Sequence, residues 1–292
     1  MIYQHPLAYL LGLQGTALLR AFNGDYDREF THARIAEIRA LLDDPDPRLE
    51  AAAAARPITA AEGYDAWAPS YDEPNDLIEI EEPVVHGILD GLPVGRALDA
   101  ACGTGRHAAY LDSLGHQVLG VDVSANMLAL ARAKVPGADF RHGDICQLPV
   151  PDQDVDLVVC ALALTHVPDL AAAFAEFSRV LRPGGHLVIA DSRMDYRIVF
   201  RLPDGQYGYL PHYRRMTSEY LTTALALGLH VRYCEELRHP WQDPSQVPTP
   251  RRDSPGLPPN IWALRDWCPA AFRAACNGSP LLIFWHFQRA SQ

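Results

Sequence analysis

Two aspartates and two glycines, set at the ends of successive apolar runs, are the residues whose types and spacing point most directly to ligand chemistry. Asp99 leads through Ala100, Ala101 and Cys102 to Gly103, Thr104 and Gly105, and Asp122 closes the following run. Glycines at a strand-to-helix turn let backbone amides approach a bound ligand closely. Gly103-Thr-Gly105-Arg-His-Ala108 also fits the loose dinucleotide pattern G-x-G-x-x-A, with Asp122 placed to hold a ribose in either case. Taken alone that pattern is weakly specific. Asp99 separates the possibilities, because a carboxylate four residues before the glycines repels a pyrophosphate and attracts a cation. The loop suits a nucleoside that carries positive charge, and a nucleotide-dependent oxidoreductase on a similar sheet stays open as the alternative.

These residues need a scaffold that brings two strand ends together, and the pattern from Arg96 onward supplies one. Arg96–Cys102, Gln117–Val123, Asp139–Gly143, Val155–Leu164 and His186–Asp191 read as strands. VDLVVCALAL is apolar enough to be buried on both faces. Helices are expected at Arg106–Leu114, at Ser124–Lys134 with Ser124 as cap, and at Leu170–Leu181, stopped by Arg182, Pro183 and two glycines. Strands alternating with helices imply an α/β, doubly wound parallel sheet.

Outside this stretch the rhythm loosens. Met1–Leu42 looks helical, and Pro45–Pro57 suits a connector. Residues 1–75 are expected to form a helical N-terminal cap and 76–292 the ligand-binding domain. Within the latter, the Tyr- and Arg-rich stretch 192–216 reads as a lid or insertion. Thr217–Leu229 reads as a helix and His230–Leu237 as a strand. The stretch 239–260, with seven prolines, reads as a loop. Ile261–Cys276 reads as a helix and LLIFWHF at 281–287 as a final strand.

Composition narrows the partners. The net charge of −11 and a pI of about 5.5 oppose nucleic acid and anionic membrane surfaces. Leu7–Phe22 is too short and too interrupted to span a bilayer, and no secretory signal is expected. It reads as a packed helix that serves as a cap or a homodimer surface. The six cysteines lack metal-ligand spacing, so no metal is expected. They read as buried thiols of a cytoplasmic protein, a Cys268–Cys276 disulfide being the lesser alternative.

Four segments in order carry a resemblance: LDAACGTG (98–105), VDVSANML (121–128), GDICQLPVPDQDVDLVV (143–159) and LRPGGHLVIAD (181–191). Over about a third of the chain it resembles a class I S-adenosylmethionine-dependent methyltransferase of the small-molecule type. The resemblance implies a seven-stranded, mostly parallel sheet whose last strand is antiparallel, and S-adenosylmethionine as methyl donor. It also implies roles. Asp99, Gly103 and Gly105 would line the methionine end, and Asp122 would take both ribose hydroxyls. Val123 and Met127 would pack on adenine, Asp144 would accept from its exocyclic amine with Ile145 beside it, and Cys160 and Ala161 would offer backbone groups. Tyr64 and Tyr71 would belong to an aromatic segment closing over the cofactor.

On the acceptor side, His166 in ALALTHVPD is the candidate base or orienting group. Tyr207, Tyr209, His212, Tyr213 and Arg214 are candidates for the substrate wall. A base is needed only where the acceptor must lose a proton. Whether O, N or C is methylated is not encoded in these motifs, and an auxiliary protein that binds the cofactor without turnover is the second alternative.

Overall fold

The computed structural model describes residues 1–194, 197–202, 204–243, 245–246, 248–252 and 261–291. Positions 195, 196 and 203 of the expected lid, and 244, 247 and 253–260 of the expected Pro-rich loop, lie outside the described residues. The chain forms two compact units that interleave in sequence. Residues 1–57, 201–208 and 238–279 make the smaller, and 58–200, 209–237 and 280–292 the larger.

In the smaller unit the expected 1–42 helix is two helices, Pro6–Phe22 and Arg28–Leu42. Gly24, at φ +96°, turns the chain between them, and the Asp27 carboxylate caps the second by accepting from Phe30 N. The unit is not purely helical. Ile2–Gln4 pairs antiparallel with Ala53–Pro57 inside the expected connector, strand pairing overriding the helix preference of alanine. The expected 261–276 helix is also two, Ile261–Arg265 and Pro269–Cys276, because a proline without an N–H suits the first turn of a helix and not its interior. All six cysteines are free thiols. Leu10, Ala17, Leu49, Leu264, Trp267 and Ala271 share one core.

The larger unit opens with helices α1 (Ala60–Trp67) and α2 (Asp76–Leu89). Then come β1 (Arg96–Ala100), α3 (Arg106–Ser113), β2 (Gln117–Asp122), α4 (Ala125–Lys134), β3 (Asp139–His142), β4 (Val155–Ala161), α5 (Leu170–Val180), β5 (Leu181–Ser192), α6 (Thr217–Ala226), β6 (Leu229–Arg238) and β7 (Pro280–Arg289). Seven strands form one sheet in the order β6-β7-β5-β4-β1-β2-β3. β1 to β5 run parallel wherever they pair, and β7 is antiparallel to β5. Both faces are covered. Leu98, Val158, Phe174, Phe177 and Ile283 pack on one side, and Ala97, Leu111, Leu157, Val188 and Phe284 on the other. The Arg182-Pro-Gly-Gly stop does end α5, but the next strand already begins at Leu181, with a register shift opposite Val155–Leu157.

Chain order reverses at β1, which lies between β2 and β4. The β1–β4 ladder ends at Asp99–Val159, while β4 continues beside β5 to Ala161–Ala190. Such a reversal opens a crevice at the carboxyl ends of the two strands. Ala101 and Leu162, the residues just past β1 and β4, have φ of 61° and 56°, left-handed values that cost a non-glycine residue energy. Strain of this kind gathers at ligand sites.

Candidate active site

The glycine turn and the end of β2 are tied together. Asp122 is buried, and its Oδ2 accepts from Gly103 N while its Oδ1 accepts from Ser124 N, each at 2.8 Å. Gly103 and Gly105 both have positive φ. A Cβ on Gly105 would lie 3.2 Å from Ala131 Cα, so α3 and α4 approach each other only because that position lacks a side chain. Ser124 caps α4 by accepting from Met127 N at 3.1 Å.

The aromatic segment 64–72 is fastened over this turn from both ends. Asp65 accepts from Ser124 Oγ at 2.5 Å and from Asn126 N at 3.2 Å. Asp72 accepts from Thr104 Oγ1 at 2.6 Å and pairs with Lys134 at 2.8 Å. Between them the Tyr71 ring reaches 4.0 Å from where a Gly103 Cβ would be. Tyr64, Trp67 and Tyr71 form one ring cluster, with centroids 5.0–6.1 Å apart. Burial holds both tyrosine hydroxyls above their usual pKa, so they stay protonated.

Below the turn lies a charged layer. Glu81 of α2 is fully buried and accepts from Arg106 Nη1 at 2.5 Å, with His107 Nε2 at 3.1 Å. Asp99 is 2% exposed, and its Oδ2 has no hydrogen-bond partner. Burial pushes its pKa up to about 6, with His107 and Arg106 pulling the other way.

On the other side of the crevice, the 3₁₀ turn Leu164–His166 follows β4. Buried Asp191 at the end of β5 anchors it by accepting from Thr165 N at 3.1 Å, and Tyr220 donates to the same carboxylate at 2.5 Å. His166 Nδ1 lies 2.9 Å from the Pro211 carbonyl. A carbonyl only accepts, so Nδ1 carries the proton, and the neutral ring has its lone pair on Nε2. Burial lowers the His166 pKa and keeps the ring neutral at physiological pH. His166 lines a cavity of about 60 Å³ with Trp67, Tyr71, Thr165, Met194 and His212.

Residues 98–189 match a family model described as a methyltransferase domain. A demethylmenaquinone methyltransferase of Renibacterium salmoninarum is 34% identical over 141 residues, covering 47% of this chain and 60% of that protein. Another from Bacillus cereus is 32% identical over 164 residues, covering 52% of this chain and 67% of that protein. The chain belongs to the class I S-adenosylmethionine-dependent methyltransferases. Across the curated relatives matched, the chain covers from 35% to 67% of their length. The crystal structure of the [4+2]-cyclase SpnF is similar to this chain in fold, with a TM-score of 0.56 at 19% identity over 82% of this chain and 100% of that one.

The residues present fit the methyltransferase cofactor. Asp99 Oδ2 is a buried carboxylate oxygen lacking a donor, which a ligand ammonium can supply. Asp122 has spent one lone pair on each oxygen and retains acceptor capacity for hydroxyls. Val123 is half-buried, and Asp144 is exposed with Oδ1 accepting from Cys146 N at 2.8 Å. Met127 is enclosed by protein, and Ile145 lies in the core beneath the sheet edge. The Cys160 side chain is also core, and burial pushes its thiol pKa far up, which leaves only its backbone for a ligand.

The proposed acceptor residues divide. His166 and His212 meet at the cavity, ring centroids 6.2 Å apart. Tyr213 is exposed beside Arg215, in an open groove by the start of α5. Tyr209 accepts from Ile58 N through its carbonyl, and Arg197 lies 5.8 Å from its ring. Tyr207 is half-buried in the smaller unit and Arg214 is exposed. Sequence reasoning did not find Asp65, Trp67, Asp72, Glu81 or Thr165. Asp65, Asp72, Glu81 and Thr165 act through partners distant in sequence, while Trp67 packs on Tyr64 and Tyr71 within its own segment.

The Asp99 pKa gives a pH dependence. The carboxylate is raised toward 6, so it is largely protonated at pH 5 and ionised at pH 7.5. S-adenosylmethionine affinity is expected to rise with pH through about 6 and then level off. Calorimetric titrations at pH 5 and 7.5 should differ several-fold for the wild type and not for Asp99→Asn.

Proposed function

We propose that this chain transfers a methyl group from S-adenosylmethionine to a small-molecule acceptor held between the aromatic segment and His166, leaving S-adenosylhomocysteine. One observation carries the reading. A buried carboxylate oxygen without a partner, that of Asp99, lies beside a glycine turn whose amide is already braced by a second carboxylate, that of Asp122. That arrangement favours a nucleoside bearing a cation over one bearing a pyrophosphate. The names of the matched relatives, demethylmenaquinone methyltransferases, agree with it. The net charge of −11 supports a small molecule over nucleic acid as acceptor.

Bound in the cradle, the cofactor supplies an electrophilic methyl group. The chain's own work is then alignment and exclusion of water. Tyr64, Trp67 and Tyr71 cover the turn, while the Asp65 and Asp72 hydrogen bonds hold that cover down. Asp191 and Tyr220 fix the turn that carries His166. Methyl-labelled cofactor offered with a panel of phenols, amines and indoles tests the proposal. Label should appear in an acceptor product. Tight S-adenosylhomocysteine binding with no labelled product from any class would instead make the chain an auxiliary binder.

A further inference from the structure

We propose that the acceptor is an uncharged hydroxyarene, methylated on the oxygen that His166 Nε2 deprotonates. This rests on the methyl-transfer reading and adds the substrate class. Among the described residues lining the cavity none is Asp, Glu, Lys or Arg. A carboxylate, phosphate or ammonium acceptor would be taken from water without a countercharge, which is costly. The walls are instead mostly apolar, with Asn75, Thr165 and Ser192 as uncharged polar groups among them. Trp67 and Tyr71 meet edge to face at 5.0 Å, Phe200 adjoins Trp67 at 5.8 Å, and Leu77, Ile78 and Met194 complete them. Such walls suit an aromatic ring. The cavity is about 60 Å³, and the flexible Met194 side chain on its wall can turn aside to admit one.

The polar floor selects the reacting group. Pro211 commits His166 Nδ1–H, and no described residue hydrogen-bonds Nε2, so the ring presents a lone pair and no proton. Tyr64 and His212 are the titratable rings packed against it, and both Asp65 and Asp191 already hold backbone donors. A neutral amine needs no base before attack, and an aliphatic hydroxyl, a much weaker acid than a phenol, is the poorer match for an imidazole of lowered basicity. A phenolic hydroxyl, with a pKa of about 10, matches it best. The acceptor's O–H bond breaks, its proton going to Nε2. The freed oxygen pair forms the bond to the donor methyl, the methyl–sulfur pair stays on sulfur, and the imidazolium then releases its proton to solvent.

The test uses 4-nitrophenol, whose absorbance reports its ionisation, with the full chain saturated with S-adenosylhomocysteine so that nothing turns over. The wild type should bind the probe and raise the phenolate band. His166→Asn keeps an N–H for the Pro211 carbonyl but lacks Nε2. It should bind S-adenosylhomocysteine within about twofold of the wild type, give no phenolate rise, and lose roughly 100-fold in kcat on the best hydroxyarene. The wild-type kcat/KM should rise with pH to a plateau, with an apparent pKa below 6.5, a limb that His166→Asn should lack. An equal phenolate signal in both proteins, ring-carbon methylation, or preference for arylamines or aryl carboxylates would overturn the proposal alone. Failure to bind S-adenosylhomocysteine would overturn the methyl-transfer reading and this proposal with it.

Discussion

Replacing Asp122 with alanine is expected to weaken S-adenosylmethionine binding by about 100-fold. In the role proposed here the carboxylate does two things. It holds Gly103 N and Ser124 N at 2.8 Å each, which sets the glycine turn against α4, and it keeps further lone pairs for the ribose hydroxyls. Hydrogen bonds to a charged partner contribute about 1.5–3 kcal/mol each, and about 3 kcal/mol in all corresponds to a hundredfold change in affinity. Asp122→Asn should fall between, since an amide keeps one acceptor oxygen and offers donors where acceptors are needed. Calorimetry reads the affinity, and a circular dichroism melt shows whether the fold is intact. A variant that folds and binds within threefold of the wild type would remove Asp122 from the cofactor site.

The second large effect is on stability. Glu81→Leu is expected to lower it by about 3 kcal/mol, because breaking a buried ion pair strands the remaining charge. The Arg106 side chain is 13% exposed and that of His107 3%; both lose Glu81, and Arg106 keeps only the longer 3.4 Å contact to Glu82. Burial alone would raise the Glu81 pKa, yet the pull of His107 and Arg106 leaves it below the usual carboxylate value. The pair therefore adds stability above the ordinary glutamate range and loses it as pH falls through the folded value. A melt at pH 7 should shift downward by roughly 10 °C, at about 2–4 °C per kcal/mol for a unit of this size. A shift under 2 °C would mean that leucine's own burial offsets the stranded charge.

The parallel sheet was legible because its strands are written locally. The apolar run VDLVVCALAL marked a buried strand, though the strand ends at Ala161 and not at Leu164 because Leu162 turns left-handed, and Asp99 and Asp122 each close an apolar run. The cofactor turn was legible for the same reason. The fastenings of the aromatic segment were not, since Asp65 reaches Ser124 and Asp72 reaches Lys134 across about sixty residues. Glu81 is one acid among four on α2, a helix not expected from the sequence, and only the meeting of α2 with the start of α3 turns it inward. His166 was legible as a residue past β4, but its tautomer depends on Pro211, forty-five positions on. Pro269 is a local signal for the break in the expected 261–276 helix that the reading as one helix passed over. Tyrosine content alone did not separate Tyr213, which is exposed, from Tyr71, which lines the cavity.

The central claim is that this crevice is built for a nucleoside bearing a cation. Parallel calorimetric titrations of the full chain with S-adenosylmethionine, S-adenosylhomocysteine and NAD test it most directly. The account predicts one site per chain for the first two and no measurable heat with NAD. Preferential binding of NAD would contradict it, because Asp99 would then stand beside a pyrophosphate.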